Sequence, residues 1–199
     1  MIRKALLTLL SAGPKYGYQL KSEFEASSGA AWALNIGQVY NTVQRMERDG
    51  AVVPLGVDDQ DRPLYELSPE GRQELDEWLA TAVKRSVATR DEVVMKVLMS
   101  AATGVTEPSQ PISIQRSASM GVLQEATAAR AASSSVADIV HLEWLIATTT
   151  AELKWLDVTE QILEAGGAVQ LQAAMANSGA RARGVSAKAK LTDESGRTK

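Results

Sequence analysis

The chain has 199 residues, room for one large domain or two small ones; 45% are hydrophobic, but only 5% are aromatic, so Leu, Val, Ile and Ala must carry the packing. With no cysteine and one histidine, disulfides, thiolate metal sites, a cysteine nucleophile and most zinc-ligand sets are excluded. The net charge of −3 is uneven: residues 1–165 carry 15 basic and 22 acidic residues and residues 166–199 carry 6 and 2, so any surface for a polyanion must be local.

The N-terminus shows no signal pattern, and no run of about 20 apolar residues occurs, so a cytoplasmic protein without a membrane span is expected. Ile2, Leu6, Leu9 and Leu10 recur at helical spacing and predict a first helix over residues 2–11, ended by Gly13-Pro14. A second helix is expected from about Tyr16 to Ser27, with Leu20 and Phe24 inward, closed by Ser27-Ser28-Gly29. Trp32 and Leu34, in the loop that follows, are expected to dock on the core.

Asn35 opens the next helix as a capping residue, with Gln38 three positions on in a relative of the capping box. At 100° per residue Val39, Val43 and Met46 share a narrow sector, and Asn41, Gln44, Arg45 and Arg48 lie opposite, with Gln38 beside them. Gly50 fits the left-handed position past the helix end. Residues 51–57 read as a strand, Asp58-Asp59-Gln60-Asp61 as a turn, and Arg62 to Leu67 as the return strand. Ser68-Pro69-Glu70 starts a helix that carries Leu75, Trp78 and Leu79 inward and ends near Lys84. This order of helices and hairpin is that of a winged helix-turn-helix.

Thr89-Arg90-Asp91-Glu92 reads as a capping box opening a helix with Val94, Val97, Leu98 and Ala101 on one face. Residues 103–111 read as a linker, 112–132 as a weakly patterned helix, and Ser133-Ser134-Ser135 as its end. A long helix follows over 136–165. One stripe holds Leu142, Leu145, Thr149, Leu153, Leu156 and Leu163; another holds Val140, Trp144, Ala151, Trp155, Val158 and Ile162. A helix apolar over so much of its girth needs cover on two sides, which points to a partner chain. Beyond Gly166-Gly167 the Ala, Gly, Ser and basic residues read as a disordered tail.

No glycine-rich phosphate loop, nucleophile elbow or paired carboxylates in an apolar setting occur, and a lone His141 on a packed helix reads as structural. No enzyme, cofactor or metal site is therefore expected. A reader of DNA needs an apolar back and a front that reaches base edges: Asn and Gln pair with adenine and Arg with guanine. Gln38, Asn41, Thr42 and Arg45 fill the first half of that front; Lys15 and Tyr16, at the expected start of the preceding helix, are placed for phosphate. Gln38 has a second reading, as the residue that completes the cap of Asn35. Arg48 has one too, as an ion-pair partner of nearby acids.

Three stretches carry a resemblance: L-L-x-x-G-P-x-Y-G-Y-Q-L-K from Leu9 to Lys21, G-Q-V-Y-N-T-V-Q-R-M-E-R-D-G from Gly37 to Gly50, and Y-E-L-S-P-E-G-R from Tyr65 to Arg72. In this order and spacing the chain resembles a PadR-family transcriptional regulator. W-L-D at Trp155–Asp157 resembles, more loosely, the longer subfamily with a C-terminal helical domain. The resemblance implies an α+β, mostly α fold: a winged helix-turn-helix over residues 1–84 and a helical dimerisation and effector domain over 85–165, with the basic tail read from composition over 166–199 outside the resemblance. It implies a homodimer on an inverted-repeat operator of double-stranded DNA, and repression relieved by a small hydrophobic or aromatic effector. Tyr16 and Tyr18 match the family's Y-G-Y motif, and Gln38, Tyr40, Asn41 and Thr42 its recognition helix. Trp144 and Trp155 are the effector candidates, with dimer core as their other reading.

The wing departs from the family: its tip carries Asp58, Asp59 and Asp61, and only Arg62 remains to reach phosphate. Two other readings therefore stay open. One is a winged-helix protein-interaction module without DNA binding, and the other a ligand carrier built around Trp144 and Trp155.

Overall fold

A computed structural model of the chain describes residues 1–28, 32–83 and 91–178. The fold is mostly α with one small sheet: α1 (Ile2–Leu10), β1 (Lys15–Tyr16), α2 (Gly17–Ser28), α3 (Ile36–Arg48), β2 (Val52–Val57), β3 (Pro63–Leu67), α4 (Pro69–Ala80), α5 (Glu92–Thr103), α6 (Ser109–Ala132) and α7 (Val136–Ile162). It forms two compact units, Met1–Ser86 with Ala132–Leu142, and Val87–Ala131 with Glu143–Lys199.

In the first unit, α1, α2 and α3 pool their apolar faces. Leu6, Leu7, Leu20, Val39, Val43 and Met46 are fully buried, with Phe24, Leu34, Val52, Tyr65 and Leu75 around them. The sheet has the order β1-β3-β2, all antiparallel. Lys15 pairs with Tyr65 and Tyr16 with Leu64, so these two residues extend the wing's sheet instead of opening α2. A bulge between Pro54 and Gly56 interrupts β2, with Gly56 at a φ of 95°.

The end of α4 departs from expectation: Leu75 is buried, but Trp78 and Leu79 are exposed. Arg72 bonds the Ser11 carbonyl and Glu74 bonds Arg3 and Lys4, so the ties from α4 to α1 lie in its first half, before Trp78 and Leu79. Trp32 is also half-exposed, its ring meeting His141 edge-on at 6.4 Å, while Leu34 does enter the core.

The second unit packs around Val97, Ile112 and Leu156, with Val93, Trp155 and Leu163 against them. α6 and α7 are tied by polar pairs: Gln115 donates to Glu152 at 2.8 Å, Arg116 reaches both Asp157 and Glu160, and Arg130 pairs with Glu143. Asp91 caps α5, accepting from the amides of Val93 and Val94; Thr89 and Lys84 lie outside the described residues. Leu98, expected inward, is exposed. α6 begins at Ser109, inside the expected linker, because Pro111 falls in the first turn, where a missing N–H costs nothing. The first stripe of α7 packs at Thr149 and Leu156, whereas Val140, Trp144, Val158 and Ile162 are exposed.

The tail expectation is corrected over residues 166–178. Gly166, at a φ of 104°, makes a π-type kink over Leu163–Gly167, and the chain is helical again over 168–178. Ala, Gln, Leu and Met there are strong helix formers, so the glycine pair bends the helix without ending it. Residues 179–199 lie outside the described ones.

Candidate nucleic-acid interface

Helix α3 is capped as its sequence asks. The Asn35 side chain accepts the Gly37 amide at 2.8 Å, and Gln38 Oε1 accepts the Asn35 amide at 3.3 Å. Gln38 thus completes the cap with its oxygen. Val39, Val43 and Met46 are fully buried, which fixes the roll of the helix about its axis. The opposite face is exposed and carries Asn41, Gln44 and Arg45. Thr42 lies at the margin, its hydroxyl donating to the Gln38 carbonyl at 2.6 Å. The side chains of Asn41, Gln44 and Arg45 have no hydrogen-bond or ion-pair partner among the described residues. Arg48 leans on Asp49 at 3.6 Å, the ion-pair reading given above.

Two glycines let the frame close around this helix. A Cβ on Gly17 would sit 2.6 Å from the Tyr40 ring, so Tyr40 lies over the start of α2 and a larger residue in the Y-G-Y motif would displace that ring. A Cβ on Gly71 would sit 2.0 Å from the Ala51 carbonyl, where α4 crosses the start of the wing. At the same junction Ser68 Oγ donates to the Gly50 carbonyl and accepts the Gly71 amide. Behind α3, Arg3 grips Glu74 through two nitrogens, each at 2.8 Å, and Asp49 at 2.6 Å; Lys4 adds a third cationic contact to Glu74. Arg3 above all, and then Lys4, hold the Glu74 carboxyl at about 2, against the pull of its own burial.

The wing residues fall elsewhere than expected. Lys15 is buried and its ammonium pairs with Glu23 at 3.0 Å, so it presents no charge to a phosphate, and its place in a strand is the reason. Gln19 first, and then Lys15, lower the Glu23 carboxyl. Tyr16, next in the strand, offers its ring to the Arg62 guanidinium at 3.8 Å. Arg62 Nε in turn donates to Asp58 at 2.6 Å, so the one cation of the wing is already paired. Asp58 is therefore not a bare acid. It closes the turn by accepting the amides of Gln60 and Arg62, and the Arg62 guanidinium holds its carboxyl at about 2. Asp59 and Asp61 remain exposed at the tip. The signal for this pairing was present in the sequence: Asp four residues before Arg across a tight turn can return its carboxylate onto both the turn amides and the guanidinium.

The two effector candidates part company. Trp144, with Gln115, Ser119, Thr148 and Glu152, lines an open groove of about 310 Å³ between α6 and α7. Trp155 packs instead against the Val97–Ile112–Leu156 cluster, a structural role in this unit.

A capped helix presenting amides and an arginine, seated on two helices and flanked by a three-stranded wing, defines the winged helix-turn-helix class. Residues 6–77 match the transcriptional regulator PadR-like family. It is 25% identical over 99 residues, 48% of its length, to the negative transcriptional regulator PadR of Bacillus subtilis, covering 54% of that protein. It is 34% identical over 79 residues, 38% of its length, to the probable transcriptional regulator Rv1176c of Mycobacterium tuberculosis, covering 42% of it. The chain thus spans about half the length of the curated relatives it matches. Crystal structures of Bacillus subtilis PadR share the fold at 19% identity: with operator DNA, a TM-score of 0.55 over 81% of this chain and 98% of that one, and with p-coumaric acid, 0.58 over 82% and 98%. No helix among the described residues is long and apolar enough to cross a membrane.

Proposed function

We propose that the chain is a sequence-specific DNA-binding repressor of transcription, a regulator and not an enzyme, working in the cytoplasm. The observation that carries this is the front of α3: Asn41, Gln44 and Arg45 exposed and unpartnered among the described residues, on a helix whose roll is fixed by three fully buried residues. That is the chemistry of direct readout in a major groove. Asn41 and Arg45 are the readers, with Gln38 and Thr42 beside them at the helix start; Tyr16 packs on Arg62, and Lys15 leaves the set. Residues 1–84 are the DNA-binding domain and 85–165 the dimerisation and effector domain.

The exposed apolar row of α7, with Trp144, Val158 and Ile162, supports a homodimer, whose two α3 helices would read an inverted repeat. A relative captured both with operator DNA and with p-coumaric acid supports release by a small aromatic molecule, for which the groove at Trp144 is the candidate. Selection of bound sequences from random duplexes tests the reading. A palindromic consensus with half-sites about one helical turn apart is expected. Retention of no duplex, even at low salt, would leave the protein-interaction module, which the acidic wing tip favours.

A further inference from the structure

We propose that Asp58 withholds Arg62 from DNA, so that the wing is pinned to its own domain and contributes no phosphate contact. The inference rests on the DNA-binding reading above and concerns how that binding is weighted across the domain. The pin has three layers. The Tyr16 ring lies 3.8 Å from the guanidinium on one side. Asp58 Oδ2 accepts Arg62 Nε at 2.6 Å on another. Asp58 Oδ1 accepts the amides of Gln60 and Arg62, both at 3.0 Å, which locks the turn that places the two side chains together. Backbone bonds from Asp58 to the Arg62 carbonyl and from Asp61 to the Asp58 carbonyl close the same loop.

For Arg62 to reach a phosphate it would have to leave this carboxylate. The exchange gives one charge-assisted pair for another, and it uncovers Asp58 beside Asp59 and Asp61 at the approach of a polyanion. Three uncompensated negative charges near phosphate cost more than one guanidinium returns. Retaining the pin leaves two. The low Asp58 pKa keeps the carboxylate ionised throughout the working pH range, so protonation does not open it.

Charge and turn geometry can be separated by one atom. Asp58→Asn keeps an oxygen for the two turn amides and removes the charge that holds the guanidinium. The experiment measures Kd for a duplex carrying the selected sequence against salt concentration. It compares the wild-type chain with Arg62→Ala, Asp58→Asn and the double variant; Arg62→Gln, which can still bond Asp58, is the substitute if Arg62→Ala unfolds. Arg62→Ala should leave the salt slope unchanged. Asp58→Asn should steepen it by about 0.9 per wing and tighten binding about three- to tenfold near 0.1 M salt. The double variant should lose that gain. A wild-type slope that falls by about one per wing in Arg62→Ala, or no change in Asp58→Asn, overturns the pin while the DNA reading stands. If no variant binds any duplex, the DNA reading falls and the pin's role with it.

Discussion

The front of α3 and the wing hairpin are both exposed, both polar, and each carries an arginine. They differ in what those arginines already touch. Arg45 has no partner among the described residues, whereas Arg62 lies between the Tyr16 ring and the Asp58 carboxylate. A residue's charge counts toward a partner only after its internal pairs are subtracted. By that measure the proposed DNA-facing chemistry is concentrated on one helix, and the hairpin is a structural element that carries net negative charge.

The strongest way to break the comparison is to remove the frame both regions share. Gly71→Ala places a Cβ 2.0 Å from the Ala51 carbonyl, a backbone atom that cannot turn aside. We expect a loss of about 3 kcal/mol in stability, measured by urea unfolding, since overpacking against backbone lies at the upper end of such costs. DNA binding and the wing's Arg62 pin should fail together. A stable Gly71→Ala variant would mean that α4 can shift off β2, and the frame would then be looser than drawn.

A smaller effect sharpens the contrast. Arg45→Ala should cost about 1–3 kcal/mol in binding to the selected duplex, and less against duplexes with the contacted guanine replaced. Competition binding over a set of single base-pair changes reads this. A loss equal on every duplex would turn Arg45 into a phosphate contact and shift the reading role to Asn41.

The two regions also differ in how legible they were. Helix α3 could be read from sequence because capping, apolar period and outward front all lie within fourteen residues and follow local rules. The wing's strands were visible for the same reason, and so was the signal for the Asp58–Arg62 pair, but the third strand was not. Lys15 sits beside Tyr65 because of sheet pairing fifty residues away, and no local pattern turns a predicted helix start into an edge strand. Trp78 and Leu79 continue the apolar stripe of Leu75 yet are exposed, because a stripe records spacing and not whether a neighbour covers it. Trp144 and Trp155 looked equivalent on a helical wheel, and only the packing of α5 and α6 separates core from groove.

The smallest predicted effect concerns the ion pairs behind α3. Glu74 receives Arg3 and Lys4, and Arg3 also holds Asp49 at the C-terminal cap of α3, so this cluster steadies the end of the helix opposite the start proposed to read DNA. The Glu74 carboxyl is depressed to about 2 from an ordinary value of 4.5. A depressed acid contributes stability that is fully present above its unfolded pKa and is lost as the pH falls through the folded one. The window is therefore pH 4.5 down to 2. Because the group is partly solvent-exposed, we expect about 1–2 kcal/mol and not the full value of the shift. Glu74→Gln should lower stability by that amount at pH 7 and flatten the acid limb within the window, as followed by urea midpoints at stepped pH. Arg45→Ala, on an unpaired charge, should leave that limb unchanged. If both variants flatten it equally, the distinction between paired and unpaired arginines drawn here does not hold.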